Sequence, residues 1–151
     1  RHLTDLYHIR QMVSSITMRI PQTFCHGDLT FTNIIFNKNR LYLIDFLDCF
    51  IDSFLCDLIK LKQDLYYHWS LDVQEVKSLR IRQIYSFLWE KIEQRYIEYV
   101  DTIEFNVLDI LNTLRIEPYL TNEDQRLIIK RMLKCSSLYG NVSCTDGREV
   151  E

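Results

Sequence analysis

The sequence predicts a mainly α fold with one small β-hairpin, an α+β arrangement. Three observations predict it. Across 151 residues there are only three glycines and two prolines, while Leu, Ile, Tyr, Lys and Gln are plentiful, a composition that favours helix over turn. Apolar residues recur at three- and four-residue spacing along most of the chain. Two short β-rich runs, Ile34-Ile35-Phe36 and Leu41-Tyr42-Leu43-Ile44, flank a polar four-residue connection, Asn37-Lys38-Asn39-Arg40, which is a hairpin pattern.

The elements follow in order. Leu3, Leu6, Ile9, Val13 and Ile16 keep helical spacing, and Pro21 closes that segment. Thr23-Phe24-Cys25 reads as a short β-like stretch, and residues 26–33 read as a loop before the hairpin. A helix is expected over residues 57–69, with Leu58, Leu61, Leu65 and Tyr66 on its apolar face. Ser70-Leu71-Asp72 breaks it. Asp72 and Glu75 have capping-box spacing and open a long helix from Val73 to near Tyr99, with Val76, Ile84, Leu88, Ile92 and Tyr96 inward. Another helix is expected over residues 102–114, interrupted by Glu117-Pro118. Thr121 and Asp124 mark the last helix start, striped by Leu127, Ile128, Met132 and Leu133. Residues 140–151 read as a polar, frayed tail.

Composition removes several classes of function. Hydrophobic residues make up 47% and charged residues 26%, a globular mixture rather than a disordered one. A net charge of −3 gives no long-range pull toward nucleic acid or an anionic membrane. No apolar run approaches a bilayer span. Gly27, Gly140 and Gly147 are too sparse for a phosphate-binding glycine loop,. The five cysteines are odd in number and contain no C-x-x-C pair, so buried thiols in a reducing, cytoplasmic setting are expected. His8 and His68 fall in helices and carry no chemical duty on this reading.

One short region holds more polar groups than a core requires: His26-Gly27-Asp28-Leu29-Thr30-Phe31-Thr32-Asn33. It feeds the first strand, and the second strand runs into Leu43-Ile44-Asp45-Phe46. Hairpin closure brings Asn33 and Asp45 to the same end of the ribbon. An amide oxygen and a carboxylate are ligand types for the hard cation Mg²⁺. A second carboxylate, Asp28, is placed to accept a proton from an attacking hydroxyl. Phosphoryl transfer needs chiefly alignment and charge neutralisation.

His26-Gly27-Asp28-Leu29 followed by Asn33, and then Leu43-Ile44-Asp45-Phe46, resembles the aminoglycoside phosphotransferase and choline kinase families, whose fold is protein-kinase-like. The resemblance covers about residues 23–60. It implies that Asp28 is the catalytic base, that Asn33 and Asp45 hold the magnesium ions of ATP, and that His26 buttresses the loop. It gives Asp57, in Cys56-Asp57-Leu58, a supporting role for the catalytic loop. Asp48 and Asp52 are candidates to face the substrate. Thr30-Phe31-Thr32 is similar to the loop of phosphotransferase-like proteins found with bacterial surface-polysaccharide genes.

The resemblance further implies that residues 1–151 form a C-terminal lobe. The catalytic loop and hairpin would occupy residues 23–48, a helical subdomain 54–139 and a tail 140–151. Residues 1–22 leave no room for the lobe that covers the nucleotide, so that lobe is expected upstream in a parent protein and the isolated chain is expected to be inactive. The expected activity is ATP-dependent transfer of a phosphoryl group to a hydroxyl of an amino alcohol, sugar or related metabolite, without nucleic acid or membrane partners. The competing expectation is a non-catalytic kinase-like module that binds a protein partner.

Overall fold

The computed structural model describes residue 14 and residues 17–135. Apart from Ser14, the helix expected at the start of the chain lies outside the described residues, as does the polar tail. Strands β1 (Ile34–Asn37) and β2 (Arg40–Leu43) pair antiparallel, with Ile34 opposite Leu43 and Asn37 opposite Arg40. The pairing therefore runs further into the turn than the sequence predicts. Only Lys38 and Asn39 connect the strands, and both take positive φ, 45° and 63°, the two-residue turn whose twist matches a hairpin. Thr23-Phe24-Cys25 is not a strand. Its Thr23 amide makes a single bond, to the Asp52 carbonyl at 2.9 Å.

Helix α1 (Phe54–Leu65) starts three residues before the expected position, because Ser53 caps it through its hydroxyl,. His68 then takes a left-handed φ of 59° and turns the chain into α2 (Trp69–Val73), which occupies the predicted break. The long helix expected from Val73 is correspondingly shortened. Glu75 is left-handed (φ 56°), and Ser78 caps α3 (Leu79–Arg95) instead. Asp72 does not cap. Its carboxylate receives Arg82 at 2.5 Å and Arg131 at 2.9 Å, tying the α2 segment to two distant helices. A short α4 (Ile97–Val100) precedes α5 (Ile103–Ile116), which Thr102 caps. Pro118 sits in a 3-10 turn, Glu117–Tyr119. Asn122 accepts the Gln125 amide at 2.9 Å at the start of α6 (Glu123–Cys135).

Helix α1 packs against α3 and α5, and α5 against α6. The main core joins Leu55, Leu58, Ile59 and Leu65 of α1 to Trp89, Val100, Phe105 and Leu108. Ile84 and Tyr96, expected inward, are exposed. The face that packs holds Tyr85, Leu88, Trp89 and Ile92. In α6, Leu127 is exposed and Ile129 is buried with Met132 and Tyr67. Helix α1 is so enclosed that Lys60, Lys62, Gln63 and Asp64 are buried too, and each then needs a partner,. Lys62 meets Asp109 at 2.8 Å, Asp109 also accepts from the Tyr67 hydroxyl at 2.7 Å, and Gln63 accepts from Asn112 at 2.9 Å. The Lys62 ammonium also lies over the rings of Tyr66, Tyr67 and Phe105, a favourable placement for a desolvated cation. Among the described residues, no helix is long and apolar enough to cross a membrane.

Candidate functional site

The loop ahead of the hairpin is held by one face of α1. Asp57, in the first turn, accepts the His26 amide at 2.7 Å and the Gly27 amide at 3.0 Å, one on each carboxylate oxygen. Two turns on, Asp64 accepts the Phe31 amide at 2.8 Å. Burial raises the Asp64 carboxyl above its ordinary pKa, and its hydrogen bonds from Phe31 and Ser70 oppose that rise,. Gly27 is required on two counts. Its φ is +82°, and a Cβ would run into the Leu47 carbonyl. The close approach belongs to a pairing in which the Leu47 amide donates to the His26 carbonyl at 3.0 Å. The loop is thereby pressed against the chain that leaves the hairpin.

Asp28 stands between these anchors, and both its carboxylate oxygens are engaged. Oδ1 lies 3.0 Å from the Lys60 ammonium. Oδ2 accepts from Asn33 Nδ2 at 3.2 Å, and the same amide donates to the Asp28 carbonyl at 2.9 Å. His26 is buried, with its ring against Phe46 at 4.2 Å between centroids. Its Nδ1 accepts the Asp28 amide at 3.3 Å, which puts the proton of a neutral ring on Nε2. The hydrogen bond therefore links the His26 ring to the backbone of the same loop. Nε2 is buried and has no partner among the described residues.

The hairpin aligns Asn33 and Asp45 as the sequence predicts. The Ile44 amide donates to the Asn33 carbonyl at 3.1 Å, so Asp45 follows directly beyond the last paired residue. Asp45 has a left-handed φ of 58°, an uncommon conformation that Asp tolerates better than most non-glycine residues. Its exposed carboxylate has no bonded partner among the described residues. Asn33 is buried and spends its NH₂ group on Asp28, leaving its amide oxygen for another ligand. These are hard oxygen donors that fit Mg²⁺. Among the described residues, no three His, Cys, Asp or Glu side chains form a metal-holding group. Asp48 and Asp52 are exposed on the segment between β2 and α1 and do not join the Asp28 cluster.

The sequence reading identified Asp28, Asn33, His26 and Asp57, which the structure brings together. It missed Lys60 and Asp64. Their signal was the spacing Asp57, Lys60, Asp64, which puts three charged side chains on one stripe of a helix otherwise rich in Leu and Ile,. Beside the site, a small pocket is lined by Gly27, Cys49, Phe50, Lys60, Asn112 and Arg115, among others. The side chains of Phe24, Phe36, Leu41, Phe46, Leu47 and Phe50 are also exposed around the hairpin and the chain flanking it.

A search of curated proteins and a search of solved structures found no match. The sequence model of the phosphotransferase enzyme family matches residues 8–94, more than half of the chain and all of the loop, hairpin and α1. With that match and the loop-and-hairpin geometry together, the chain belongs to the phosphotransferase enzyme family.

Proposed function

We propose that this chain carries the catalytic loop and metal-binding hairpin of an ATP-dependent phosphotransferase acting on a hydroxyl of a small molecule. The acceptor class is an amino alcohol, sugar or related metabolite, with bacterial surface-polysaccharide metabolism as one setting. The observation that carries the reading is the Asp28 carboxylate, fixed at both oxygens on a loop that is itself pinned at His26, Gly27 and Phe31. A general base needs such fixed placement.

In this mechanism Asp28 orients the acceptor hydroxyl and takes its proton. The acceptor oxygen bonds to the γ-phosphorus as the bond to the ADP oxygen breaks. Asn33 and Asp45 would hold Mg²⁺, which when bound supplies neutralisation of the phosphate charge. His26 keeps the loop in register through the Asp28 amide. Asp48 and Asp52 would offer negative charge to a cationic acceptor at the rim. The exposed apolar side chains around the hairpin support a further part of the reading. They offer a surface for a nucleotide-covering lobe, without which the chain would bind ATP poorly.

The test is ADP release from ATP and Mg²⁺ by the full-length protein, with water, choline, ethanolamine, glucosamine or glucose as acceptor. Asp28→Asn is expected to lower turnover by about 100- to 10,000-fold with an unchanged far-ultraviolet circular dichroism spectrum. Full turnover in that variant would remove Asp28 as the base.

A further inference from the structure

Lys60 belongs to no part of the mechanism just given, yet it makes the closest side-chain contact to its proposed base. Its ammonium is 3.0 Å from Asp28 Oδ1, and its side chain is 8% exposed. Burial lowers its pKa from the ordinary lysine value, and the Asp28 contact opposes that shift. Holding a desolvated ammonium at that point costs free energy, so a contact made for stability alone is a poor bargain. The rest of α1 already anchors the loop by its backbone, through Asp57 on one side of Asp28 and Asp64 on the other. Lys60 does something different, because it grips the reacting carboxylate itself.

We propose that Lys60 is a positioning residue for phosphoryl transfer, fixing the Asp28 carboxylate so that one oxygen faces the acceptor hydroxyl. The inference rests on the reading of Asp28 as the base. Lys60 holds Oδ1 and Asn33 holds Oδ2, so rotation about the side-chain bonds of Asp28 breaks at least one contact. The two grips come from different elements, α1 and the loop before β1, and together set the carboxylate plane. The reaction remains balanced as written above. The acceptor proton passes to Asp28, the oxygen–phosphorus bond forms, ADP leaves, and Lys60 keeps its proton throughout. After transfer its positive charge faces a neutral carboxyl group.

The experiment is a double-mutant cycle in the full-length protein, read as ADP release from ATP and Mg²⁺ with water, choline, ethanolamine, glucosamine or glucose. Lys60→Met is expected to lower kcat about 100-fold, the scale of a misplaced reacting group, with KM for ATP within about twofold of wild type. Lys60→Arg, which keeps the charge but changes its geometry, is expected to recover about tenfold of that loss. In the Asp28→Asn background, Lys60→Met should cost nothing more, because the group it positions is gone. If Lys60→Met fails to fold by circular dichroism, Lys60→Arg alone decides: a kcat about tenfold below wild type at constant KM supports the proposal, and an unchanged kcat overturns it.

A folded Lys60→Met variant with wild-type kcat, in a protein that Asp28→Asn inactivates, overturns the positioning role and leaves the base in place. So does an equal 100-fold loss in both backgrounds, which would make Lys60 independent of Asp28. Full turnover by Asp28→Asn, or no ADP release by the wild type, overturns the underlying reading and this inference with it.

Discussion

Replacing Asp57 with alanine is expected to loosen the candidate catalytic loop and destabilise the whole fold. Asp57 accepts two backbone amides that come from successive residues, His26 at 2.7 Å and Gly27 at 3.0 Å. Hydrogen bonds to a charged group contribute about 1.5–3 kcal/mol each. Asp57 is only half buried, so solvent screening sets the lower end, about 1.5 kcal/mol per bond and about 3 kcal/mol for the pair. For a chain of this size each kcal/mol shifts the melting temperature by about 2–4 °C, giving a fall of about 10 °C for Asp57→Ala. Asp57→Asn keeps an acceptor for one amide and should lose about half as much. The assays are thermal melting by circular dichroism and amide hydrogen exchange at His26 and Gly27. Asp101→Ala, an exposed carboxylate with no side-chain partner among the described residues, serves as control and should move stability by less than about 0.5 kcal/mol. A melting temperature for Asp57→Ala within about 2 °C of wild type, with both amides still protected, would refute the claim that this carboxylate holds the loop.

Gly27→Ala should cost about 2–3 kcal/mol in urea denaturation, since it combines a left-handed φ with a backbone collision that a rotamer change cannot relieve,; an unchanged midpoint would contradict it. Lys62→Met leaves the Asp109 carboxylate buried without its cation and should lose about 3–5 kcal/mol, with partial recovery when Asp109→Leu is added. Recovery by the second substitution is the decisive reading, and a neutral single variant would show that the pair is not buried in solution. His68 makes stability depend on pH. Burial, with Arg82 nearby, lowers its pKa from 6.5, and Asp72 opposes the shift. The unfolded chain therefore binds the proton first, and stability falls as pH drops below 6.5 toward the folded pKa, then levels off,. His68→Asn, which tolerates the left-handed backbone, should show a smaller fall in melting temperature over that interval; an identical fall would assign the dependence to other groups.

The reach of the sequence can be traced residue by residue. The loop was legible because Asp28 and Asn33 interrupt apolar segments at a chemically meaningful spacing, and hairpin closure needs no long-range information. Helices α5 and α6 were legible as elements from local apolar periodicity, although in α6 Asn122 supplies the cap and Ile129 rather than Leu127 is buried with Met132. What could not be read depends on tertiary partners. Asp72 and Glu75 have the spacing of a capping box, but two arginines from other helices claim Asp72, and Glu75 turns left-handed. The start of the next helix therefore passes to Ser78. Lys60 and Asp64 look like solvated positions on a helix surface until α3, α5 and the loop enclose that helix.

That enclosure also explains why one helix serves both core and site. A helix packed against α3, α5 and the loop has little face to spare for solvent, so each buried polar residue on it must be matched inside the protein,. On α1 the matches divide by direction. Lys62 and Gln63 meet Asp109 and Asn112 of α5, while Asp57, Lys60 and Asp64 meet the loop at His26, Asp28 and Phe31. Leu55, Leu58, Ile59 and Leu65 fix the helix against the core between these polar contacts. The core thus sets the height and rotation of α1, and through three charged side chains that rotation sets where the Asp28 carboxylate stands. Rigidity at the proposed reacting group follows from packing elsewhere in the molecule, which is how a short half-buried loop can hold a carboxylate still.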